Sequence, residues 1–251
     1  MRDMQGLREN KTYKSSLLAF NTANICQHNE FKDVQLEKTK NRCPICECLV
    51  DGSISRKNKK DKTTYITATI DHFRPIEYYP NFKCEDTNYL LLCSDCNNVL
   101  KKSNFPLYNS QSRAISIADV NCEQPLLVNP IDDDIEELFT LLFIRRPNGN
   151  NILEIAIHPA IKENTYLYEK AKKSIEIFKL GECHNEDNTD NVQICRIGIL
   201  RIHFDILYDF AVAFQNKSSV LKTLLERNKE LYRSYGFMKF IMNNNFKIII
   251  P

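Results

Sequence analysis

Two CxxC pairs, Cys43/Cys46 and Cys93/Cys96, stand on either side of an Asp71-His72 dipeptide, and Asn97 follows the last cysteine directly. These residue types divide into two chemistries. Two thiol pairs at this spacing suit one tetrahedral Zn2+, and four thiolates leave it no open position for water or substrate. Such an ion is structural: its binding energy is folding energy for a motif too small to hold itself together by burial. Pro44, inside the first pair, presets φ for the tight turn that brings both sulfurs to one side. The alternative is a set of free core thiols. Cys48 and Cys84 lie close enough in sequence to replace a ligand, whereas Cys26, Cys122, Cys183 and Cys195 have no partner at metal spacing and read as buried free thiols.

Oxygen and nitrogen donors make the second set. Asp71 and the amide oxygen of Asn97 are hard ligands of the kind Mg2+ or Mn2+ takes while keeping several waters. His72, with an imidazole that titrates near neutrality, is suited to take a proton from water. Alone, an Asp-His dipeptide is usually a helix cap or a surface pair; its order between the CxxC pairs gives it weight. Arg56, Lys57, Lys59, Lys60 and Lys62 crowd the stretch DGSISRKNKKDK at 51–62, read as a turn and basic loop. That loop is either a solvated tip or a phosphate clamp. His28-Asn29-Glu30 matches half of a zinc-deaminase signature, but the proline follows Cys43 instead of preceding it, so a surface helix is the better reading.

The elements that must position these residues are legible as an α+β pattern. Residues 1–42 form a helical lead-in packed on the core, with Leu17, Leu18, Phe20, Phe31, Val34 and Leu36 at three- and four-residue spacings. TTYITATI, from Thr63 to Ile70, alternates and is β-branched, a strand that delivers Asp71-His72 at its end. NYLLLC, Asn88–Cys93, is a second strand, and SDCNNVLKK starts a helix that Ser94 or Asp95 can cap. Residues 107–124 are a polar connector. The remainder, 125–251, reads as a mostly helical domain. It opens on a hairpin turning at Pro147–Asn150, and helices follow near 161–180 with Gly181 as a stop, near 190–215 and near 217–243. His158, His184 and His203 stand there in isolation and read as satisfied surface or helix histidines.

Over residues 31–106 this order resembles the zinc-ribbon branch of the HNH, or ββα-metal, nucleases. The resemblance implies a ββα-metal core stapled by Cys43, Cys46, Cys93 and Cys96 around structural zinc. It implies further that Asp71 and Asn97 hold a catalytic Mg2+ or Mn2+, that His72 is the general base, and that Asn88 holds the loop between the strands. Arg74 and Lys101 are placed like the family's phosphate contacts. The third letter of the motif is often histidine, and Asn97 stands there instead. The segment NP-I-DDD with its hairpin and helices is similar, more loosely, to HNH subunits encoded beside an ATPase in bacterial anti-phage systems of the Septu kind. The expected protein is a metal-dependent endonuclease acting on nucleic acid, DNA in preference to RNA, with an ATPase partner. That similarity implies a docking or substrate-positioning domain in the C-terminal half; a plain helical scaffold that buries the back of the nuclease sheet is the equal alternative.

Composition agrees with a globular chain and selects little more. With 251 residues, 43% hydrophobic and 26% charged, the chain can bury a core, and a net charge of +2 neither demands nor excludes nucleic acid. No apolar run approaches membrane-spanning length and MRDMQGLRENK lacks a signal-peptide core, so the expected setting is cytoplasmic, without membrane association. The competing reading is a zinc-ribbon module that binds nucleic acid without cutting it. Binding alone has no need of Asp71, His72, Asn88 and Asn97 together.

Overall fold

The computed structural model describes residues 1–251 apart from 3, 24, 25, 27, 28, 58–62, 109–112, 146, 148–150, 182–196, 228–235 and 251. The chain divides into two compact units, one of Arg2–Asp134 and one of Ile135–Pro251 with Met1.

The first unit carries helices α1 (Lys11–Ala23) and α2 (Asn29–Thr39) and an antiparallel sheet of β1 (Asp51–Lys57), β2 (Thr63–His72) and β3 (Tyr89–Cys93), in the order β1-β2-β3. All five residues of β3 are buried, and its outer edge is satisfied by a side chain. Gln35 on α2 donates through Nε2 to the carbonyl of Tyr89 at 3.1 Å and accepts through Oε1 from the amide of Leu91 at 2.7 Å. A buried amide thus completes the backbone pairing that an edge strand lacks. Phe31, one turn earlier on α2, lies 5.3 Å from the Tyr13 ring and 5.6 Å from the Tyr89 ring, which ties both helices to the sheet.

Two expectations for this unit change. The stretch expected as a turn and basic loop is a strand over Asp51–Lys57, paired Lys57↔Thr63, Arg56↔Thr64 and Ser55↔Tyr65, with a bulge between Asp51 and Ser55. Its glycine, serines and lysine carry little strand propensity; the pairing that β2 offers overrides them. The expected helix after Cys93 is a π-helical turn, Asp95–Lys101. The amide of Lys102 reaches back to the carbonyl of Asn97 at 2.7 Å, five residues away instead of four. The Ser94 cap does not form: Ser94 has helical backbone angles and makes no side-chain cap bond.

The second unit is built on a sheet ordered β5-β4-β6, from β4 (Phe139–Ile144), β5 (Ile152–Ile157) and β6 (Phe246–Ile249). Strands β4 and β5 form the expected hairpin, and most of its turn lies outside the described residues. Helices α3 (Ile135–Leu138), α4 (Tyr166–Phe178), α5 (Ile197–Gln215), α6 (Val220–Arg227) and α7 (Phe237–Met242) accompany the sheet. Phe143 on β4 meets Phe204 and Tyr208 of α5 and Phe246 of β6 at ring distances of 5.8, 6.1 and 6.2 Å. The stop of α4 falls earlier than Gly181, at Lys179, which takes the left-handed conformation with φ 52°. The chain after α7 is not helix to its end, because Phe246–Ile249 runs parallel to β4 as its second neighbour.

Candidate metal centre and active site

The first cysteine pair sits where the chain turns at Cys43–Cys48. The amide of Cys43 donates to the carbonyl of Cys48 at 2.9 Å and the amide of Glu47 to that of Cys43 at 2.8 Å, with Glu47 at φ 58°. Cys93 ends β3 and Cys96 lies in the π-helical turn, whose amide donates to the Cys93 Sγ at 3.4 Å. The ligand sulfurs of Cys43, Cys46, Cys93 and Cys96 are buried and all lie within 4.8 Å of one another. Cys43 and Cys96 are 3.4 Å apart, Cys46 and Cys93 3.8 Å. Four sulfurs around Zn2+ at about 2.3 Å would be about 3.8 Å apart, so the residues fit the ion. Burial pushes the Cys43 and Cys96 thiols up, while hydrogen bonding among the clustered thiols pulls Cys46 and Cys93 down. Cys48 is also near, 3.3 Å from Cys46 Sγ, but lies outside the quartet.

The other expected cysteine roles change. Cys26 and Cys84 are joined in a disulfide instead of being a free thiol and a spare ligand. Cys122 is an exposed thiol, not a buried one. Cys183 and Cys195 lie outside the described residues, as do His28 and His184.

β2 delivers Asp71 and His72 at its end, opposite Leu90 and Tyr89 of β3. Asp71 is 5% exposed, and both its oxygens face the Lys101 ammonium, Oδ1 at 3.2 Å and Oδ2 at 2.9 Å. Burial pushes this carboxyl up to about 6, against the pull of Lys101. Thr69, two positions earlier and therefore on the same face of β2, accepts a hydrogen bond from Nδ2 of Asn97 at 3.0 Å. With its nitrogen directed at Thr69, the Asn97 amide has its carbonyl oxygen as the end that could meet a cation. A buried carboxylate and an anchored amide on one face are a donor set of the kind a hard divalent ion takes.

His72 is oriented by the loop before β3. Its Nε2 lies 3.0 Å from the carbonyl of Lys83; a carbonyl only accepts, so Nε2 carries the proton and the lone pair is on Nδ1. Tyr89 donates through its hydroxyl to the same carbonyl at 2.9 Å and its ring meets the imidazole edge-on at 5.5 Å. Asn88 is 1% exposed and closes the loop. It accepts through Oδ1 from the amide of Arg74 at 2.7 Å and donates through Nδ2 to the carbonyls of Arg74 at 3.0 Å and Phe82 at 3.1 Å.

The cations expected at phosphates are placed differently from one another. Arg56 and Lys57 lie on β1, and Lys59, Lys60 and Lys62 are outside the described residues. Arg74 is mostly inward: its Nε donates to Glu123 at 2.8 Å, and its guanidinium carbon lies 5.7 to 5.9 Å from the rings of Phe73, Phe82 and Phe105. Glu123, from the stretch read as a polar connector, also accepts from the Tyr79 hydroxyl and the Ala114 amide, each at 2.7 Å. Lys101 is fully buried, with Nζ 2.9 Å from Asp71 Oδ2, so its charge is directed at the carboxylate and not outward. Sequence reasoning missed Thr69, Gln35, the Lys83 carbonyl and Glu123. Of these only Thr69 had a signal, its two-residue spacing from Asp71 on a strand. His203 is buried on α5, its ring 5.5 Å from that of Phe237, and not at the surface; His158 accepts through Nδ1 from the amide of Ala160 at 3.2 Å.

Among known proteins, the chain is similar to a curated relative, the Septu protein PtuB of Bacillus mycoides (strain KBAB4), with 29% identity over 109 residues. The match takes in 38% of this chain and 33% of PtuB, so the chain spans about a third of the relative it matches. No family model and no solved structure matches.

Proposed function

We propose that this protein is an HNH-type, divalent-metal-dependent endonuclease that hydrolyses phosphodiester bonds, DNA in preference to RNA, in bacterial anti-phage defence with an ATPase partner. The observation that carries the reading is the convergence at the end of β2. Asp71 buried at the end of the strand, Asn97 anchored through Thr69, and His72 held by the Lys83 carbonyl all lie on one strand pair and its following turn, which the cysteine quartet staples. The similarity to the Septu protein PtuB supports the setting in defence.

In this reading the chain supplies orientation and one proton acceptor. His72 takes a proton from water at Nδ1, and its Nε2–H bond to Lys83 holds the ring in the tautomer that this requires. Asp71 and Asn97 would hold Mg2+ or Mn2+, which when bound neutralises charge on the phosphoryl oxygens and helps the departing oxygen. Asn88 keeps the intervening loop closed, so that Lys83 stays beneath the imidazole. The zinc cysteines fix Asn97 relative to β3. Arg56, Lys57, Lys59 and Lys60 contact backbone phosphates.

The test is incubation of purified protein with supercoiled plasmid, linear DNA and RNA, with Mg2+, Mn2+ or a chelator, alone and with the neighbouring ATPase. Cleavage of DNA that a chelator stops is the expected result. Binding of all substrates without cutting under every condition would replace the enzyme by a zinc-ribbon binding module.

A further inference from the structure

Lys101 is a charged side chain, 1% exposed, at the end of the π-helical turn. Its ammonium touches three oxygens of two consecutive residues. It donates to Asp71 Oδ1 at 3.2 Å and to the backbone carbonyl of His72 at 3.0 Å, and lies 2.9 Å from Asp71 Oδ2. Taking a lysine out of water is unfavourable unless its charge and its hydrogens are matched, and these contacts match them. A phosphate-binding lysine would present its ammonium to solvent.

We propose that Lys101 is the positioning residue of the cation site: its ammonium, in contact with both oxygens of Asp71, fixes the orientation in which the carboxylate meets a divalent ion. Because the same ammonium holds the His72 carbonyl, it also pins the corner carrying the base to the turn carrying Asn97. The inference rests on the reading that Asp71 is a cation ligand, and it replaces a phosphate contact at Lys101 by an internal one.

The experiment compares wild type, Asp71→Asn, Lys101→Met, Lys101→Arg and the double variant Asp71→Asn/Lys101→Met. Mn2+ binding is followed by electron paramagnetic resonance, nucleic-acid binding without divalent ions across a salt series, and thermal unfolding in parallel. Lys101→Met is expected to weaken Mn2+ binding at least about tenfold, with its salt slope unchanged. A lost phosphate contact would instead lower that slope by about 0.9 and leave Mn2+ binding alone. Lys101→Arg, which keeps the charge, should restore part of the Mn2+ affinity. If Lys101→Met is too unstable to assay, the double variant decides. Removing both charges should return much of the lost melting temperature, because the uncompensated carboxylate is gone; no recovery overturns the pairing. Normal or tighter Mn2+ binding in Lys101→Met also overturns the proposal, the tighter case making Lys101 a competitor for the carboxylate. If wild type and Asp71→Asn bind Mn2+ equally, the underlying reading of Asp71 fails instead.

Discussion

Asn88 engages both ends of its amide, and that makes it the residue most exposed to substitution. Asn88→Ala removes three hydrogen bonds from a buried loop. It is expected to lower stability by about 2 to 3 kcal/mol, at roughly 1 kcal/mol for each bond, measured by denaturant unfolding. The two proposed cation ligands should separate from one another in kind. Asp71→Ala and Asn97→Ala are both expected to abolish cleavage, with raised Mn2+ partly rescuing Asn97→Ala, which keeps the carboxylate; a titration of cleavage rate against Mn2+ checks this. Asp71, His72, Asn88 and Asn97 were legible because the motif spaces them along short elements. The burial of Lys101 was not, because a lysine at the end of a helical segment is ordinarily solvated and only the tertiary contact with Asp71 turns it inward. Glu123 was hidden for the same reason: its partners Arg74, Tyr79 and Ala114 come from separate stretches.

Strand β2 and its partner β3 followed from β-branched and apolar runs, which dictate extended structure locally. β1 and β6 did not. DGSISRK has the composition of a loop, and only pairing with β2 makes it a strand; Phe246 finds Leu141 across most of the second unit, a partner no local pattern predicts. The π-helical turn was hidden too, since one extra residue per turn leaves no mark in a seven-residue segment. Two outcomes belong to these elements. Cys93→Ser is expected to release zinc and leave the first unit insoluble or unfolded, because coordination contributes about 10 to 16 kcal/mol to small zinc motifs; metal analysis with circular dichroism reads it. Full retention of zinc would assign the staple elsewhere. Replacing Arg56, Lys57, Lys59 and Lys60 together should flatten the log-log salt dependence of duplex binding by up to about 3.6, at about 0.9 for each phosphate contact. An unaltered slope would return these residues to solvent.

At the scale of the molecule, composition bounded the answer without choosing it. A net charge of +2 left nucleic acid open, and among the described residues no helix is long and apolar enough to cross a membrane. The Cys26–Cys84 disulfide joins two cysteines that no metal spacing connects, and spacing was the only cue the sequence offered. The division after Asp134 places the whole β2-β3 site and its zinc cysteines in the first unit. The central claim is that this unit cuts phosphodiester bonds with His72 as base. The most direct measurement is the rate of supercoiled plasmid cleavage by wild type and His72→Ala in Mn2+, with the proposed ATPase partner present, beside their binding to the same DNA. The account predicts binding nearly unchanged and a rate lower by about 10² to 10⁴; equal cleavage rates, or no cleavage by either, would contradict it.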